Sequence, residues 1–145
     1  MAGRKVRAQM LVVAAVVALV SGACGDDSNA QSPATSTPID VDASKFVDMT
    51  GKDRVEIKIV DNEFQPRYVT ITAGTTVVWT NEGRNLHNIK SVDEGVIAVS
   101  ADTQLINGKS LDAAFANEGD AAYFCTLHGT PKNGQTGGIR VVAKK

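Results

Sequence analysis

The residues best suited to chemistry in this chain of 145 are few: two cysteines, Cys24 and Cys125, two histidines, His87 and His128, and one tryptophan, Trp79. Cys125 and His128 form a Cys-x-x-His pair, which offers a soft thiolate and an imidazole from one short loop. His87 lies far upstream, so two loops must meet at one end of a fold to complete a set of two nitrogens and one sulfur. Such a set suits copper in both of its common oxidation states. The thiolate has to lose its proton to bind, and a metal enforces that loss. As spacing alone the signal is weak. A buried thiol with two partly exposed surface histidines accounts for it equally well.

The elements that must position these residues are strands. Beyond residue 53, Val55, Ile57 and Ile59 alternate with Arg54, Glu56 and Lys58, the period of a half-buried strand. Val69 and Ile71 alternate with Thr70 and Thr72, a turn is expected at Ala73-Gly74, and residues 75–80 (TTVVWT) return, so these two strands are expected to form a hairpin. Further short strands are expected near 86–91, 95–99, 110–115, 121–125 and 138–143, with a short helix around 100–106. Turn signals separate them at Asn81-Glu82-Gly83, Asn107-Gly108, Glu118-Gly119-Asp120 and Asn133-Gly134. Seven or eight strands make an all-β, Greek-key β-sandwich of two packed sheets. In it His87 follows the Trp79 strand, and Cys125 ends the Tyr123-Phe124 strand with His128 just beyond.

The start of the chain is of another kind. Arg4, Lys5 and Arg7 precede an apolar run from Met10 to Val20, too short to span a bilayer as a helix, so residues 1–23 are expected to be an export signal. Ser21-Gly22-Ala23-Cys24 resembles the lipobox of bacterial lipoproteins, with Ser21 where that pattern usually has Leu. By that resemblance Cys24 becomes a lipidated N-terminus; cleavage after Ala23 without lipidation is the alternative. From Gly25 to about Ser44 the chain is polar and dotted with Ser, Thr, Pro and Asp, so residues 24–52 are expected to be the lipidated Cys and a flexible tether, leaving 53–145 as the folded domain. With 15 basic and 16 acidic residues the net charge is −1, and no basic run suits a phosphate backbone, so nucleic acid is not an expected partner.

Several motifs then occur in order: Asn62-Glu63-Phe64-Gln65-Pro66, Val69 to Thr75 (VTITAGT), Val77-x-Trp79-x-Asn81, His87-Asn88, and Tyr123-x-Cys125-x-x-His128. Together they resemble the plastocyanin-like cupredoxins over nearly all of residues 54–143. The resemblance implies a copper-containing sandwich with His87, Cys125 and His128 as equatorial ligands of one copper that cycles between Cu(I) and Cu(II). It implies one-electron transfer as the activity, with redox proteins as donor and acceptor. Asn81 and Asn88 match positions whose polar groups brace the ligand loops, and Thr126 is expected in the same brace; ordinary turn chemistry is the competing account of Asn81.

The fourth ligand departs from the plastocyanin pattern. Gln135 stands where those proteins have Met, and no Met occurs beyond Met49. A Gln oxygen is a known weak axial ligand, and the stellacyanin-like branch uses one. The resemblance therefore implies a plastocyanin-type body with a stellacyanin-type axial residue.

No enzyme is expected. A Cys-His nucleophile pair lacks an orienting third group, a zinc site lacks a placed carboxylate, and multicopper enzymes need more histidines than this chain has. The competing function is a surface protein that stores or delivers copper with the same residues. The expected setting is the outer face of the cell membrane or the periplasm, with a lipid anchor at Cys24 and a monomeric domain.

Overall fold

The computed structural model describes residues 36–145; the expected export signal and Cys24 lie outside them. Nine strands follow in order: β1 (Val47–Asp48), β2 (Arg54–Val60), β3 (Glu63–Gln65), β4 (Tyr68–Thr72), β5 (Thr75–Asn81), β6 (Lys90–Ser91), β7 (Ser110–Phe115), β8 (Gly119–Gly129) and β9 (Gly134–Val142). They form two sheets, ordered β1-β4-β9-β8-β6 and β3-β2-β5-β7. The expected all-β sandwich is present, with nine strands among the described residues rather than seven or eight.

Alternation in β2 drives its placement: Val55, Ile57 and Ile59 are buried, while Arg54, Glu56 and Lys58 face solvent. Trp79 of β5 is fully buried and meets Tyr123 of β8 edge to face, ring centroids 5.4 Å apart. These side chains, with Val69 and Ile71 of β4 and Ile139 and Val141 of β9, form one core between the sheets. Each fully buried side chain of this size contributes about 1.5–3 kcal/mol.

The structure corrects the local reading in several places. β4 and β5 do not form a hairpin; they belong to opposite sheets. The corner between them bonds to both layers, Ala73 N–H to the Val142 carbonyl and Gly74 N–H to that of Phe115. A turn signal alone does not distinguish such an arch from a hairpin. Residues 95–99 form no strand, because their backbone bonds close locally, as in Val99 N–H to the Ile97 carbonyl. No helix forms at 100–106, where Leu105 pairs with His87 instead. Of 86–91 only β6 is ladder-bonded, whereas β8 extends beyond both of its expected ends and β9 begins four residues before its expected start.

The tether reading also fails from residue 36 onward. Thr37 donates to the Asp93 carboxylate from its backbone (2.7 Å) and its hydroxyl (3.0 Å). Ile39 N–H donates to Asp120 (2.7 Å), and Asp120 also takes both arms of the Arg140 fork. Burial alone would push the Asp120 carboxyl up, but Arg140 and the Ile39 N–H outweigh it and hold the carboxyl below its ordinary value. The Phe46 ring lies 4.4 Å from the Arg140 guanidinium, and β1 pairs in parallel with β4. A polar composition hid this arm because its few apolar residues, of which Ile39, Phe46 and Met49 are half-buried large ones, follow no regular period. A chain beginning at residue 53 is therefore expected to be less stable than one beginning at 36 by about 3 kcal/mol, half the full burial value for each of those three side chains. Urea denaturation of the two proteins measures the difference; equal midpoints would mean that the arm adds nothing.

Candidate metal centre

The site grows out of a defect in the pairing of β8 and β9. Phe124 pairs with Thr136 and Gly129 with Gly134, so four residues of β8, Cys125 to His128, stand opposite the single residue Gln135. A bulge of this kind bends its strand and re-aims side chains. The turn closes tightly: Gly134 has φ +81°, and a Cβ there would lie 2.5 Å from the His128 carbonyl oxygen. Opposite, the chain leaving β5 reaches His87, which is held by a two-way backbone bridge to Leu105: His87 N–H donates at 3.1 Å and Leu105 N–H at 2.8 Å.

The three sequence candidates meet. One ligand atom from each of His87, Cys125 and His128 lies within 4.8 Å of the others. Cys125 Sγ is 3.8 Å from His87 Nδ1 and 3.6 Å from His128 Nδ1. Two donors bound to one ion at roughly 2.05 and 2.3 Å and about 120° apart would be separated by about 3.8 Å, so this spacing fits a trigonal metal. Gln135 completes the group, its Oε1 2.9 Å from His87 Nδ1. His87 and Cys125 are fully buried, Gln135 is 2% exposed, and only His128 is partly open.

Burial holds the His87 imidazole below its ordinary pKa, and neighbouring His128 adds to this; the contact to Gln135 and the Asp61 charge work the other way. The neutral ring that results is the form that ligates a metal. His87 Nδ1, the nitrogen that faces Cys125 Sγ and Gln135 Oε1, must be free of its proton to ligate, which puts the proton of the neutral ring on Nε2, a buried atom without a hydrogen-bond partner.

The expected bracing residues are also in contact. Asn88 and Thr126 bond reciprocally, Asn88 Nδ2 donating to Thr126 Oγ1 (2.8 Å) and Thr126 N–H to Asn88 Oδ1 (2.9 Å). The residue after His87 is thereby tied to the residue after Cys125. Asn81 does more than cap a turn: Nδ2 donates to the carbonyls of Asn85 and Leu105, and Oδ1 accepts from Gly83 N–H. Sequence reasoning missed Leu105, whose role is carried by its backbone and leaves no side-chain signal, and Arg67, which bonds to Thr136 beside Gln135.

Comparison with known proteins assigns the class. A sequence model of the copper binding proteins of the plastocyanin/azurin family matches residues 51–141, and this chain belongs to that family. A chloroplastic plastocyanin of Tetradesmus obliquus is 40% identical over 72 residues, 45% of this chain and 50% of that protein. The chain thus spans about half the length of that relative. Among solved structures, a purple cupredoxin from Nitrosopumilus maritimus superposes with a TM-score of 0.51 at 29% identity, covering 60% of this chain and 98% of that one. An amicyanin from Paracoccus versutus gives 0.51 at 28% identity, over 71% and 86%.

Proposed function

We propose that this protein is a mononuclear copper carrier of single electrons, working outside the cytoplasm. His87 Nδ1, Cys125 Sγ and His128 Nδ1 would hold the ion, with Gln135 Oε1 as a weak axial donor. The observation that carries the proposal is the Nδ1–Sγ spacing of 3.6 and 3.8 Å within a buried set of mixed soft and borderline donors. Bound there, copper supplies a one-electron couple between Cu(I) and Cu(II). The residues supply rigidity: Asn81, Asn88 and Thr126 fix the loops, so the donors need little rearrangement when the charge changes.

Burial of His87, Cys125 and Gln135 leaves His128 as the one donor of the set that is open to solvent, which favours a carrier over a catalyst. It also weighs against copper delivery, since an acceptor's ligands could approach only past His128. Leu127, 53% exposed and next to His128, with half-buried Leu86, supplies an apolar surface for brief docking of redox donors and acceptors. Nothing in this reading requires a dimer. Cys24, lipidated after export, would hold the domain at the membrane surface. Optical and EPR spectra of the copper-loaded protein test the proposal: an intense thiolate-to-Cu(II) band with narrow hyperfine splitting is expected, and its absence would end the type 1 reading.

Gln135→Met is expected to raise the reduction potential. An amide oxygen is harder than a thioether and favours Cu(II), so its replacement should shift the relative affinity toward Cu(I) by more than tenfold, about 59 mV for one electron. Voltammetry of both proteins decides; an unchanged potential would remove Gln135 from the ligand set.

A further inference from the structure

Gln135 is the second residue of β9, and that end of the strand has a neighbouring strand on one flank only. There Phe124 pairs with Thr136 and Tyr123 with Gly137. On the other flank β4 begins at Tyr68, opposite Gly138, so residues 134–137 have no strand beside them. Arg67, the residue just before β4, fills this gap with its side chain. Its Nε donates to the Thr136 carbonyl (3.0 Å) and its Nη2 to Thr136 Oγ1, while its own carbonyl accepts from Gly138 N–H (3.0 Å). The guanidinium also lies over the Tyr68 ring, 5.4 Å from its centroid. A planar fork held in this way is rigid, and lysine cannot reproduce it.

Gln135 has little else to fix it. Its Oε1 touches His87 Nδ1, and its Nε2 is buried without a partner. The place of its amide is set by the backbone that carries it, and that backbone is pinned at the next residue.

We propose that Arg67 is a positioning residue for Gln135: by gripping Thr136 from the open flank it sets how closely the Gln135 oxygen approaches the two histidines and the cysteine. This rests on the copper reading above, because the consequence is a tuned balance between the two oxidation states. Without the grip the hard axial oxygen recedes, Cu(II) loses support, and the potential rises.

The test is a double-mutant cycle on the copper-loaded protein, combined with NMR on the metal-free protein. Arg67→Lys keeps the charge and loses the fork; Thr136→Val keeps Arg67 and loses one acceptor. Each is expected to shift the Cu(I)/Cu(II) affinity ratio about threefold toward Cu(I), about 28 mV on a scale of about 59 mV per decade. In a Gln135→Leu background the same changes should leave the potential still. In the metal-free protein, Arg67→Lys should speed hydrogen exchange of the Gln135 side-chain amide at least threefold. Equal shifts with and without Gln135, or no shift in either, would overturn the proposal, as would unchanged exchange. Lack of a thiolate band in the unmodified protein would instead overturn the copper reading, and the exchange measurement would still judge Arg67.

Discussion

Cys125→Ser is expected to abolish the intense visible absorption of the copper-loaded protein completely while leaving the sandwich folded. The colour of such a site comes from the metal–thiolate bond, and Cys125 is the free thiol of the described residues, fully buried and within 4 Å of both histidines. Serine preserves the volume to within a small difference, and its hydroxyl can bond to the Nδ1 atoms that now face sulfur, so burial of the oxygen leaves no unmet polar group. The core lies elsewhere, around Trp79 and Tyr123. Absorption spectra should lose the band and far-ultraviolet circular dichroism should stay the same. A band that survives the substitution would refute the ligand assignment outright.

Gly137→Ala is expected to cost stability heavily, about 3 kcal/mol, without touching any ligand. A Cβ at this position would lie 2.4 Å from Tyr123 Cζ and 2.5 Å from its hydroxyl oxygen. The tyrosine cannot step aside, because Phe64 stands against it at 4.8 Å and Trp79 at 5.4 Å between ring centroids. Its buried hydroxyl has no partner, the Trp79 indole lying alongside without completing a hydrogen bond, and burial pushes the phenol far above its ordinary pKa. Truncating the obstacle should therefore rescue the variant: Gly137→Ala combined with Tyr123→Leu is expected to lose less than the sum of the two changes. Urea unfolding of the four proteins provides the cycle, and strict additivity would show that the ring and the new methyl do not compete.

The donor set was legible because its residues are rare and each stands at a strand end. With two histidines in the chain and one cysteine in the domain, little choice remained once two strands were placed. Gln135 was legible through its family position alone, since a glutamine has no chemical rarity. What sequence could not display was contact made by backbone or by irregular segments. The bridge from Leu105 to His87 involves no side chain, and Arg67 is one of many exposed cations until the late start of β4 gives it a carbonyl to hold. The arm from Ser36 to Met49 binds through scattered groups and has no period to detect. The arch from β4 to β5 has the same turn residues as a hairpin, and only the bonds from Ala73 and Gly74 to different sheets distinguish it.

The position of β9 joins contacts of very different sequence separation. It lies between β4 and β8 in its sheet, antiparallel to the strand that precedes it and parallel to one that came much earlier, with Tyr68 beside Gly138. The β8–β9 ribbon is a local event that brings Cys125, His128 and Gln135 into one place. Joining β4 to it requires closure of a long loop, the kind of step that puts folding in roughly the millisecond-to-second range. His87 lies between β5 of the other sheet and β6, which pairs with β8 through Lys90 and Phe124, so it is the point where the two layers meet at the site. The thiol and one imidazole thus come from one short loop, whereas the second imidazole depends on contacts between residues far apart in the sequence, so the complete nest is a property of the whole sandwich and not of any one ribbon.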